Sequence, residues 1–238
     1  MSEQWTGAWH WEIGSADGRP TLTTTRYCYM AVQKDRTPKA EPLSDSDAAD
    51  LIRSVNGAGG GTFEDVSEGD ELLQINSNFV GFLPKQATST VLRSVQVSGD
   101  DMTQQVLGPD REILAEHKYT RITDAGESEL AGAWEVRDED WSGIVIFTDS
   151  RYQFLVTRDD RPAETTNESP DSDLADLYKS THSEAGFYLL GDGVLEMTPD
   201  IAMNPADQGV ASSRRCNLNG GVLNLEFKEG ALNFEKVD

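Results

Sequence analysis

One stretch of this chain occurs twice, and that duplication constrains the fold more than any other feature. Arg26-Tyr27-Cys28-Tyr29-Met30-Ala31-Val32-Gln33-Lys34-Asp35-Arg36 returns as Arg151-Tyr152-Gln153-Phe154-Leu155-Val156-Thr157-Arg158-Asp159-Asp160-Arg161. Each copy is an aromatic, β-prone body closed by a charged Asp-Arg end, which predicts a strand running into a loop. Two further segments repeat in the same order. Gly7-Ala8-Trp9 precedes the first copy and Gly132-Ala133-Trp134 the second, while Asp45 to Val55 and Asp171 to Ser180 read as short helices with acidic N-terminal turns. Three segments kept in order at an offset of about 125 residues imply an internal duplication.

Each unit is then near 120 residues, the usual size of a domain with its own core. The expected layout is a first domain over residues 1–122, a short polar linker over 123–129 and a second domain over 130–238. After each helix the chain offers only short β-rich runs separated by Gly, Asp and Asn, which is the pattern of a meander. Seven or eight strands and one helix per unit predict a mainly β fold, two tandem small antiparallel barrels whose closure removes exposed edges. A single barrel merged from both copies is the alternative. In this reading the duplicated stretch is the second strand of each barrel, Asp17-Gly18-Arg19-Pro20 and Trp141-Ser142-Gly143 are turns, and Gly57-Ala58-Gly59-Gly60-Gly61 is a flexible loop.

A formal charge of -22, from 42 acidic and 20 basic residues, disfavours phosphate backbones and anionic lipid surfaces. Neither nucleic acid nor a membrane is expected as a partner, and a homo-oligomer is left open. Cys28 and Cys216 fall inside apolar runs of different copies, so two buried free thiols and a reducing compartment are expected. The start, Met1-Ser2-Glu3-Gln4-Trp5, carries no basic or apolar leader pattern, and the expected location is cytoplasmic.

These residues resemble the lipocalin-like domain family of the calycin group. The resemblance rests on Gly-Ala-Trp, on Phe147 to Tyr152 leading to Asp160-Arg161-Pro162, on the acidic short helix, and on Gly186-Phe187-Tyr188 to Asn204-Pro205. The first copy follows the same order through Phe63, Asp70 and Asn76 to Gly81 but has no Asn-Pro. What the resemblance implies is a lipocalin-like barrel in each copy, with a basic residue from the last strand packed over the Gly-x-Trp indole. Arg121 over Trp9 and Lys236 over Trp134 fit that part.

The chemistry is less specified. His10, His117 and His182 are scattered and no Cys/His pair has ligand spacing, so no metal is expected. No nucleophile elbow, phosphate loop or dinucleotide fingerprint occurs, so no cofactor is expected. Strand alternation is more informative: Val91, Arg93 and Val95 share one side, as do Ser212, Arg214, Cys216 and Leu218. If the apolar side faces the interior, Arg93 and Arg214 point inward. Each is then either a strut paired with a core acid or carbonyl, or the anchor for an anionic group on an apolar ligand. Tyr27 and Tyr29 in one copy, and Tyr152 and Phe154 in the other, share a face with either a core or a cavity-wall role, and Trp11 joins them as a candidate wall. His10 and His182 read as outward or loop residues, or as a proton carrier near a barrel mouth.

Two functions follow as expectations. The first is binding of a small apolar or amphipathic organic molecule in a barrel cavity, through Arg93, Arg214, Trp11, Tyr27, Tyr29, Tyr152 and Phe154. The second is a cofactor-independent cyclase, isomerase or lyase of specialised metabolism, which the resemblance allows and no motif demands. Whether a reaction is catalysed, and which copy carries the site, stays open, as does a third arrangement in which one copy has lost its cavity.

Overall fold

The structure is a computed structural model that describes residues 4–67, 72–136, 138–227 and 230–238. Met1 to Glu3, Asp70 and Arg137 lie outside the described residues. The first unit runs β1 (Gly7–Ile13), β2 (Ala16–Leu22), β3 (Arg26–Gln33), α1 (Asp45–Arg53), β4 (Val55–Asp65), β5 (Leu73–Gly81), β6 (Thr90–Ser98), β7 (Asp101–Leu107) and β8 (Ile113–Arg121). The second repeats that order as β9 (Gly132–Val136), β10 (Trp141–Phe147), β11 (Arg151–Arg158), α2 (Asp171–Lys179), β12 (Thr181–Gly191), β13 (Val194–Ala202), β14 (Ser212–Asn219), β15 (Val222–Phe227) and β16 (Gly230–Lys236). Each set of strands is a closed, eight-stranded antiparallel meander. The merged barrel is excluded.

Closure happens at the Gly-x-Trp strands. In the first barrel β1 meets β8 with Trp9 opposite Arg121, and in the second β9 meets β16 with Trp134 opposite Lys236. The Arg121 guanidinium lies 4.1 Å from the Trp9 ring and the Lys236 ammonium 5.2 Å from Trp134. Gly7 and Gly132 hold φ of +122° and +127°, and a Cβ at either would fall 2.9 Å from that same basic side chain. Glycine is therefore required on both grounds.

Three readings of the sequence are corrected. The duplicated stretch is the third strand of each barrel, β3 and β11, because the supposed turns are strands: Asp17 to Pro20 sits within β2 and Trp141 to Gly143 within β10. Gly57 to Gly61 is the middle of β4, paired with β3 throughout and with β5 from Gly59 on, with Tyr29 opposite Gly59 and Val80 opposite Gly60. Glycine is there because both faces are crowded. A Cβ on Gly60 would stand 2.4 Å from Ile144 of the second barrel, and one on Gly61 would stand 2.0 Å from the Ser77 carbonyl.

The helices carry the acidic first turns read from the sequence, and α1 has in addition a cap that the sequence reading did not include. Ser44 caps α1 by accepting from the Asp47 N–H at 3.1 Å, and acidic residues occupy the first turn of both helices. Their buried faces, Ala49 and Ile52 of α1 and Leu174 and Leu177 of α2, join one apolar cluster with Cys28, Met30, Val80, Phe82, Ile144, Ile146, Leu155 and Ile201. That cluster lies between the barrels. The outward side of β3 and β4 thus faces the outward side of β10 and β11, and the alternation that buries Met30 against the second barrel turns Tyr27 and Tyr29 to the interior of the first.

Contacts across this interface come in reciprocal pairs. Arg36, at the end of the first duplicated stretch, donates to the Met203 carbonyl at 2.8 Å, and Arg161, at the end of the second, donates to the Phe82 carbonyl at 2.9 Å. Likewise Arg53 pairs with Asp171 at 2.8 Å and Lys179 approaches Asp45 at 3.5 Å. Cys28 and Cys216 are both buried free thiols. No helix among the described residues is long and apolar enough to cross a membrane.

Candidate functional site

The interiors of the two barrels are built on the same frame and filled differently. In the second, Trp134, Val145, Phe147, Tyr152, Phe154, Leu195, Met197, Leu225, Phe227 and Phe234 close into one apolar core. The first encloses a cavity of about 300 Å³. Strand register shows where the difference arises. Gln74 stands opposite Arg93 as Leu195 stands opposite Arg214, and Gln104, His117 and Tyr119 occupy the places of Leu225, Leu232 and Phe234. Amides, an imidazole and a phenol thus replace branched aliphatic and benzyl groups.

Tyr27, Tyr29, Trp11 and Arg93 all line this cavity. β3 supplies the tyrosines, β1 the indole and β6 the guanidinium, so three separate segments of sequence converge. The Trp11 ring stacks on His117 with centroids 5.4 Å apart and planes 6° from parallel. The Tyr27 hydroxyl donates to Asn78 Oδ1 at 2.5 Å, and the Tyr119 hydroxyl donates to Gln104 Oε1 at 3.3 Å. Burial raises the pKa of Tyr27 and Tyr29 and pushes Tyr119 up to about 12, so all three phenols are protonated donors at neutral pH.

Arg93 is the cation of this interior. Its Nη1 donates to Gln104 Oε1 at 3.4 Å, a long contact, and its buried Nε has no partner among the described residues. None of the described residues lining the cavity is acidic. His117 adds no charge, because burial first and the neighbouring Arg93 second hold its pKa below the usual 6.5. Fully buried Gln74 likewise leaves both amide atoms without a partner among the described residues. Buried polar groups are ordinarily satisfied, so this is a polar interior with unused capacity.

The other three candidates lie apart, in the filled barrel. Arg214 Nη2 donates to Glu184 Oε1 at 3.2 Å and the Tyr152 hydroxyl donates to the same oxygen at 3.1 Å. The guanidinium also lies 4.7 Å from the Phe227 ring and 5.4 Å from Phe154. Burial lifts the Glu184 pKa, and Arg214 and the Tyr152 hydroxyl pull it part of the way back. Glu184 therefore ties Arg214 to Tyr152, with Phe154 packed against the guanidinium, although Arg214 Nε, like Arg93 Nε, has no partner among the described residues.

Several site residues escaped the sequence reading. His117, Tyr119, Gln104 and Asn76 line the cavity, and His182 is not an outward residue but a ring stacked on Trp141 at 5.6 Å. A signal for them existed in the comparison of inward positions between the two copies, where one repeat is polar and the other apolar. His10 gathers with Glu12 and Asp17, a set whose ligand atoms lie within 4.8 Å of one another. Arg19 and Lys34 already pair with those two carboxylates, which satisfies the group as an ion-pair cluster.

The chain is thus a tandem of closed antiparallel barrels joined through one apolar face, the first with an open interior and the second filled. No protein-family model and no curated protein matches it. Among solved structures it is similar to the crystal structure of the uncharacterized protein YLR301w from Saccharomyces cerevisiae, with a TM-score of 0.53 and 14% identity, over 97% of this chain and 98% of that one. At that identity the likeness speaks for the fold alone.

Proposed function

We propose that this protein binds a small apolar or amphipathic organic molecule inside its first barrel, with Trp11, Tyr27, Tyr29 and Arg93 as ligand-contacting residues. The observation that carries the reading is the contrast between the two interiors: a cavity of about 300 Å³ lined by Asn76, Gln104, His117 and Tyr119 as well as Arg93 in one, and a closed apolar core on the same frame in the other. Cavities of this size suit drug-sized or smaller molecules. Arg214, Tyr152 and Phe154 hold the second barrel together and take no ligand. The eight-stranded barrels and the Gly-x-Trp closure support a place among the calycins, and the buried free thiols support a reducing, cytoplasmic setting. Native mass spectrometry of freshly purified protein tests the binding reading. A copurifying small molecule that is lost in an Arg93→Ala, Tyr29→Ala variant is expected, and retention of the same mass in that variant refutes the site.

A second reading, a cofactor-independent isomerase, cyclase or lyase, is favoured by one arrangement. His117, neutral at physiological pH, and the Tyr119 hydroxyl stand 3.4 Å apart in the cavity, which places a proton acceptor beside a proton donor. Turnover of the identified ligand by wild type and its loss in His117→Gln, with binding retained, separates enzyme from carrier.

A further inference from the structure

The chain contains two versions of one interior, and the filled one shows what the open one lacks. In the second barrel Glu184 stands opposite Phe154 on the neighbouring strand and carries the carboxylate that neutralises Arg214. Register places Gly59 opposite Tyr29 at the equivalent position of the first. The first barrel thus keeps the guanidinium and lacks the acid.

We propose that the ligand of the first barrel is a small monocarboxylic acid, whose carboxylate meets Arg93 as the Glu184 carboxylate meets Arg214. The inference rests on the cavity reading above and adds the chemical class. A guanidinium cannot shed its proton at any physiological pH, and a desolvated one without an anion is costly. The chain cannot readily supply the anion from β4: a Cβ at Gly59 would stand 2.7 Å from the Tyr29 ring and 3.1 Å from Asn78 Oδ1. The aromatic ring occupies the room of a side-chain stem, so the carboxylate has to approach from the cavity side. Tyr27, equivalent to the hydroxyl that serves Glu184, is turned to Asn78, which leaves Arg93 and the Tyr29 phenol to receive the ligand.

The charge of the lining selects among anions. Among the described residues Arg93 is its single cation at neutral pH, because His117 is held neutral and no described acid or lysine lines the space. One negative charge is matched and a phosphate dianion is not. Two in-plane oxygens suit the planar fork of a guanidinium, while the apolar remainder of the ligand lies against Trp11, Leu22 and the tyrosine rings.

The test is calorimetric titration of the purified full-length chain with matched pairs, 4-phenylbutanoate and 4-phenylbutanamide, octanoate and octanamide, together with inorganic phosphate. At least one acid should bind about tenfold or more tightly than its amide, the worth of a charge-assisted hydrogen bond, and Arg93→Met should erase the preference. Equal affinity within each pair overturns the carboxylate inference and leaves the cavity reading standing. No binding by any member of either pair overturns both, and phosphate binding tighter than every acid assigns Arg93 to an inorganic anion instead. A ligand-independent arm supplies the carboxylate from the chain once the ring is cleared: Tyr29→Ala with Gly59→Glu is compared with Tyr29→Ala with Gly59→Gln. The glutamate version should melt several degrees higher and lose acid binding. Equal melting temperatures with acid binding intact refute the proposal.

Discussion

At the scale of single residues, Arg93 and Arg214 are an internal control on one another. Both project inward from equivalent strands, yet Arg214 has a carboxylate at 3.2 Å and Arg93 has a long contact to an amide. Disturbing the two sites should therefore have different effects on stability. Glu184→Gln strands Arg214 in a mostly buried place and should cost about 3 kcal/mol in urea unfolding, the usual loss when one member of a buried pair is removed. Arg93→Met removes a charge that the ligand-free barrel does not neutralise, and should leave stability unchanged or raised by about 1 kcal/mol. His117 offers a pH readout of the same cavity. Its folded-state pKa lies below 6.5, whereas the unfolded chain takes up the proton near that value. Between the two pKa values the unfolded state holds more protons, so stability falls as pH drops through about 6.5 and levels off once the folded imidazole is charged. A His117→Phe variant should flatten this slope, and the imidazole shifts in an NMR titration should locate the pKa directly. A carboxylate bound beside Arg93 should move that pKa upward.

At the scale of elements, β4 is the strand whose composition misleads. A run of glycines between a helix and a β-prone segment looks like a loop, because local propensity cannot register what approaches from either face. Here Tyr29 covers one side and Ile144 of the other barrel presses on the other, and only a strand without side chains fits between them. Gly60→Val should cost about 3 kcal/mol by overpacking this contact, and Ile144→Ala placed in the same chain should recover part of the loss, a coupling measurable by a double-mutant cycle. The strands with strict alternation were legible from the start, since β3, β6, β11 and β14 each present one apolar face. What alternation could not reveal was that two apolar faces exist on β3, one for the barrel interior and one for the neighbour. Cys28 and Met30 are as buried as Tyr27 because they fill the space between barrels. The inward direction of Arg93 could be counted off a strand. The charge balance around it depends on Gly59, Gln104 and His117, which come from three other strands.

At the scale of the whole molecule, a large apolar cluster among the described residues belongs to neither barrel alone. Met30, Ile52, Val80 and Phe82 from one unit meet Ile144, Leu155, Leu177 and Ile201 from the other, so each unit would expose an apolar face if released. Cutting the gene within the 123–129 segment and expressing the halves separately should yield aggregates, whereas co-expression should give a one-to-one complex by size exclusion. The intact chain should unfold in one cooperative calorimetric transition. The sequence showed two copies and eight or so strands in each, because repeats and periodicity are local properties. It did not show that the copies are welded, since nothing in either copy marks which outward positions are covered.

The reciprocal contacts of Arg36 with Met203 and of Arg161 with Phe82 carry one more consequence. Contacts in which each copy offers the same residue to the same partner site are the mark of an isologous dimer, and here they persist within a single chain. The architecture is that of two equivalent subunits joined in one chain. In a homodimer every mutation appears twice, so an interior cannot be plugged on one side and kept open on the other. A single gene lifts that constraint, and the two interiors differ at the equivalent position, a glutamate opposite Phe154 in one and a glycine opposite Tyr29 in the other.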